Sequence, residues 1–289
     1  MTRSAWWRPW LLLTPSLVIL LGVFVIPLGI LGRYSFYRTA PGGAMVPAWT
    51  LDQYARFLLD AHHLRILGAT LALALGVTLV TAVLGYPLAY GLARARSPRR
   101  RALGVTALLI PLMTSVVVRS YGWMILLAST GVVNATLVAT GVVSRPIQLL
   151  FTPTGVVIAL AEVLLPFMVL SLLPVLQGVD VALEEASHSL GASPMATFRH
   201  IILPLSLPGL VSGSVLVFVL SVGAFATPRL VGGPTTDVIT VLIYEQTLSL
   251  LNWPFGAASA WVLLLLVLAL IWAQGYVVRR HATGLAGAP

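Results

Sequence analysis

Six long apolar runs leave this chain almost no choice of fold. They cover about Trp10–Leu31, Ile66–Ala93, Ala102–Leu127, Thr154–Leu176, Leu203–Thr227 and Ala257–Val278. A helix needs roughly 20 apolar residues to cross the hydrocarbon core of a bilayer. In lipid each backbone N–H and C=O must be satisfied within the segment, so helix is the form expected. A membrane barrel shows alternating segments of about ten residues instead. The expectation is an all-α membrane protein of six transmembrane helices in a single domain, residues 1–289, with spans at about 10–31, 66–93, 102–127, 154–176, 203–227 and 257–278. Pro87, Pro111 and Pro166 fall inside spans and are expected points of tilt or breakage. Composition agrees: 9% of the residues are charged, against about a quarter in a soluble domain.

The charges set the orientation. All 17 basic residues are Arg. Arg3 and Arg8 precede the first run, Arg94, Arg96, Arg99, Arg100 and Arg101 fill the link after the second, and Arg279 and Arg280 follow the sixth. With six spans these clusters share one side, which the positive-inside rule makes cytoplasmic together with both termini. The first run contains Pro15 and Pro27 and exceeds the roughly 7–15 residues of a signal-peptide core, so it reads as a retained span. Without Lys the chain cannot form a P-loop, whose Lys reaches the phosphates; ATP-driven work needs another subunit. Without Cys there is no disulfide, thiolate nucleophile or Cys-ligated metal site. His62, His63, His188, His200 and His281 lack ligand spacing, and no Ser sits in a G-x-S-x-G turn. Neither a metal site nor catalysis by this chain is expected.

The link at 177–202 is more ordered than a turn requires. Asp180 is placed to N-cap a short helix from Val181, and Glu184 and Glu185 lie near its positive end. Gly191 is a natural stop. Ser193-Pro194 restarts a helix, with Ser as N-cap and Pro at the first helical position. This second helix runs towards Ile201, where Pro204 bends entry into the fifth span. Two short helices at an angle are expected. A seat on lipid headgroups would explain the pair; so would a docking surface, because Ala182, Ala186 and Ser189 form a small-residue stripe.

Glu185-Ala186-Ser187, three residues, Gly191, nine residues, then Ile201-Ile202-Leu203-Pro204 resembles the EAA-x3-G-x9-I-x-L-P signature of permease subunits of binding-protein-dependent ABC importers, with Ser for the second Ala. Pro111–Asn134, Phe151–Leu170, Leu230–Pro234 and Asn252–Ala258 are similar to the spermidine/putrescine branch. The resemblance implies a type I ABC importer permease fold. It implies two ABC ATPase subunits that bind ATP and Mg, a second homologous permease in a heterodimer, an extracytoplasmic binding protein, and no nucleic acid. Glu184, Glu185, Ala186, Ser187, Gly191 and Pro204 would form the part that couples to the ATPase.

The substrate path is sought among polar residues in or beside spans, because an ionisable group in lipid is costly. Glu162, about two turns into the fourth span, either meets a cationic substrate or is neutralised by a structural partner. Arg119, read as late in the third span, either snorkels to the outer surface, pairs, or lines the path. Trp123 is either an interface aromatic or a stacking face. Arg229, Asp237, Tyr244, Glu245 and Trp253 form an outer stretch that closes a gate, docks the binding protein, or is solvated loop. The resemblance implies a polyamine or similar small organic compound as solute. Val222–Pro228 contains no acid and runs into Arg229, which favours instead an amino-acid-like, opine or organic-anion solute. A self-sufficient secondary transporter needs a relay of intramembrane acids or inverted repeats, and Glu162 is the one such acid.

Overall fold

The computed structural model describes residues 8–40 and 42–286. Of the basic residues behind the expected orientation, Arg3 lies outside them, as do the side chains of Arg8, Arg279 and Arg280. The chain forms two compact units, Met1–Leu64 with Leu242–Pro289, and Arg65–Val241. Among the described residues six helices are long and apolar enough to cross a membrane: Leu13–Tyr34, Ala61–Ala93, Val116–Ala139, Pro153–Gly178, Pro194–Val222 and Trp253–Gly275.

In the first unit, helix α1 (Arg8–Tyr34) continues through Pro15 and Pro27. The loop after it is not plain loop. It folds as an antiparallel pair of two-residue strands, β1 (Arg38–Thr39) and β2 (Met45–Val46), followed by helix α2 (Asp52–Leu59). The Phe57 ring is fully buried and stacks on His63 at 5.6 Å, and His63 meets Phe255 at 4.9 Å.

The second unit is built around one helix. Helix α3 is Ala61–Ala93 and α7 is Pro153–Gly178; α10 covers Leu203–Val222. The most buried of the six crossing helices is α7. Thr152 caps it by accepting from the Gly155 N–H, and Pro153 opens its first turn. Close approach on both sides comes from missing side chains. A Cβ on Gly85 of α3 would lie 3.0 Å from Met168, and one on Gly213 of α10 would lie 2.8 Å from the same residue's sulfur. Gly209 meets Val175 in the same way at 2.9 Å. Gly209 and Gly213 are four apart, the small-x-x-x-small spacing by which membrane helices pack backbone to backbone. Both α3 and α7 stay helical across Pro87 and Pro166.

Two spans differ from expectation. The helix expected over 102–127 is broken. Helix α4 (Pro98–Leu109) passes into a 3₁₀ turn at Ile110–Met113, Thr114 is extended, and α5 (Val116–Leu127) starts anew. Pro111 has no N–H to continue the ladder and crowds the preceding turn. The 12 residues of α4 would reach only about 18 Å, so the third crossing shifts to Val116–Ala139, with α6 (Val132–Ala139) as its second part. The fifth span is longer at its start and shorter at its end. Helix α9 (Pro194–Thr197) runs through a π turn at Phe198–Ile202 directly into α10, which stops at Val222. The second short helix of the link is therefore not separate from the span. Leu203 N–H bonds to the Phe198 carbonyl, five residues back. This wider turn accommodates Pro204, whose ring opposes the ordinary α ladder.

Candidate functional site

The link after α7 forms as its caps dictate. Helix α8 (Val181–Ser189) begins where Asp180 accepts from the Ala182 N–H at 3.0 Å. It ends at Gly191, whose φ of +85° suits glycine in a left-handed stop. Ser193 then caps α9 by accepting from Ala196 N–H at 3.2 Å. Pro204 lies in the first turn of α10, behind the π turn.

The signature residues do not share one face. Glu185 and Ala186 are exposed, with Val181, Ala182, Leu183, Ser189 and Leu190 beside them. Ser187 is buried, and its hydroxyl lies 2.9 Å from that of Thr197, tying α8 to α9. Glu184 is buried too. Its carboxylate accepts from Tyr90 Oη at 2.8 Å, from Arg94 Nε at 2.9 Å and from Arg94 Nη2. The same guanidinium donates to the carbonyls of Leu176 and Val179, each at 3.1 Å. Glu184 and Ser187 are thus turned into the chain, while Glu185 and Ala186 stay on its surface. Adjacent residues on a helix point about 100° apart, so Glu184 and Glu185 necessarily part company.

Inside the helical bundle the structure brings Glu162, Arg119 and Trp123 together. The Trp123 indole N–H donates to Glu162 at 3.4 Å. An Arg119 nitrogen lies 4.0 Å from the other carboxylate oxygen and donates to the Pro111 carbonyl at 2.8 Å. Arg119 lies one turn into α5, not late in a span, because the break at Pro111 moved the start of that helix. Its side chain is 11% exposed and so does not snorkel. Its Nε is buried with no hydrogen-bond partner. The Glu162 side chain keeps 33% of its exposure.

The outer stretch is divided. Arg229 and Asp237 belong to one compact unit, Tyr244 and Glu245 to the other. Arg229 is exposed in a π turn at Pro228–Gly232. Asp237 is exposed at a cavity of about 470 Å³ lined by Ala69, Leu73, Pro153, Thr154 and Val157. Tyr244 ends helix α11 (Ile239–Tyr244), and Glu245 opens the π turn that follows. Among the described residues no three His, Asp or Glu side chains gather as a metal site.

The fold is that of an ABC importer permease. It is similar to the solved bacterial alginate ABC transporter in complex with alginate pentasaccharide-bound periplasmic protein, with a TM-score of 0.75 at 20% identity over 95% of this chain and 94% of that one. The family described as binding-protein-dependent transport system inner membrane component matches residues 84–282, and the chain belongs to it. It is thus a multi-pass, non-catalytic permease subunit of an ABC importer in the bacterial inner membrane. Among its relatives is the spermidine/putrescine transport system permease protein PotB of Salmonella typhimurium (strain SL1344), 37% identical over 92% of this chain and 93% of the relative. PotB of Escherichia coli (strain K12) is 39% identical over 84% of this chain and 87% of the relative.

Proposed function

We propose that this permease imports a polyamine of the spermidine or putrescine type. It forms half of a path completed by a second, related permease, with two ATPase subunits binding ATP and Mg and a binding protein delivering the solute. Both termini and the 177–202 link lie on the cytoplasmic side, where the exposed face of α8, carrying Glu185 and Ala186, docks on an ATPase. The names of the similar permeases support the solute class. The observation that carries the reading is Glu162, a partly open carboxylate within a crossing helix beside the Trp123 indole. A carboxylate and an aromatic face are what an alkylammonium chain recognises. ATP-driven closure acts by differential contact with the inward- and outward-facing states.

The test is ATPase activity of the reconstituted complex with its binding protein over spermidine, putrescine, amino acids, opines and organic anions. Stimulation by the polyamines alone supports the reading. Stimulation by a carboxylate-bearing solute alone replaces it with an anion importer and moves attention to Arg229, which is exposed.

A further inference from the structure

We propose that Arg94 and Glu184 are positioning residues: they lock the hinge between α7 and α8 and bind α3 into it, so that a push on α8 moves three helices together. This rests on the reading of α8 as the ATPase-docking helix.

Only Val179 and Asp180 separate α7 from α8, and both are extended, with ψ of 118° and 128°. Two such residues are free to swivel. A push on α8 would rotate it about this hinge and leave the long helices behind. The Arg94 guanidinium spans the hinge. It holds the Leu176 carbonyl in the last turn of α7, the Val179 carbonyl in the hinge itself, and the Glu184 carboxylate in the first turn of α8. Arg94 directly follows the end of α3, and Tyr90, one turn earlier, holds the other Glu184 oxygen. One side chain therefore joins the ends of three helices.

The chemistry suits the task. The last carbonyls of a helix have no partner within it and carry the negative end of the dipole, so a cation belongs there. The first turn of the next helix favours an acid. Guanidinium is planar, with donors in a fixed fork, and can serve carbonyls and a carboxylate at once; an ammonium cannot match that geometry. Side-chain exposure is 18% for Arg94 and 11% for Glu184, so solvent weakens the pair little. The positively charged link after the second span, read from sequence as a topology signal, thus contains one Arg with a second task.

The test uses the complete complex of both permeases, ATPases and binding protein in proteoliposomes. Docking is read by disulfide cross-linking of Ala186→Cys to Cys variants of the ATPase, which is clean because this chain has no native Cys. Coupling is read as solute transported per ATP hydrolysed. Glu184→Gln should retain the cross-link while the coupling ratio falls about tenfold, within the range of ordinary coupling free energies. Tyr90→Phe, which removes one hydroxyl, should lower the ratio in the same direction by a smaller factor and keeps the test open if Glu184→Gln assembles poorly. Loss of the cross-link in proportion to transport would make Glu184 a docking residue and overturn the proposal. An unchanged ratio in both variants, with both rates falling together or not at all, would reduce the pair to a structural brace and overturn it as well. No cross-link in an assembled complex with native Glu184 would sink the docking reading itself, and the proposal with it.

Discussion

Two Arg–Glu pairs among the described residues are built in opposite ways. At the end of the bundle, Arg94 and Glu184 are in close contact, and the guanidinium makes two further bonds to carbonyls. Within it, Arg119 and Glu162 stand 4.0 Å apart, one Arg119 nitrogen has no partner, and a third of the Glu162 side chain stays open. A closed, fully bonded pair resists separation, because removing one partner strands a buried charge. An open pair at that distance lacks a hydrogen bond; either member can take another partner at little cost. The first arrangement holds parts together; under the proposed import of a polyamine, the second leaves a carboxylate ready for exchange with a passing cation.

The largest effect should come from breaking the closed pair. Arg94→Ala strands Glu184 and leaves two helix-end carbonyls unbonded, and should cost about 3–5 kcal/mol, measured as thermal unfolding in detergent. Gly191→Val should come next. It forces a β-branched residue to a φ of +85°, a strain of about 1–2 kcal/mol, and should uncouple hydrolysis from transport; normal coupling would count against the turn as a working element. Glu162→Gln should leave thermal stability near native but lower transport of a dicationic polyamine about tenfold, the loss of one charge-assisted bond of about 1.5 kcal/mol. Equal loss for a neutral solute would make Glu162 structural and blur the contrast. The smallest effect should appear in a double-mutant cycle on Arg119 and Glu162, with a coupling energy below about 1 kcal/mol. A value as large as that of the closed pair would erase the distinction.

Local chemistry was legible where it was local. Asp180, Gly191 and Ser193 could be assigned as cap, stop and restart because each acts on backbone within three residues. The sequence marks Pro111 as a point of tilt or breakage, but Pro87 and Pro166 look the same in sequence and leave their helices unbroken. Neighbouring helices decide whether a proline ends a span in lipid. The misplacement of Arg119 followed from that one ambiguity. The Gly209–Gly213 spacing is a signal of close helix packing that the sequence reading did not use, and it does not say against which helix.

Length and polarity of the apolar runs determined by themselves that the chain crosses a membrane as helices, because lipid offers the backbone no other partner. The fixed gaps of the link carried the resemblance to the family, and its caps and stop were readable because they obey short-range geometry. Only the tertiary structure decided which of two adjacent glutamates faces inward and that Arg94 leaves the topology cluster to grip α7 and α8. It also decided that Glu162, Arg119 and Trp123 meet. Those are contacts between residues up to 94 positions apart, and spacing along a chain says nothing about which helices pack side by side.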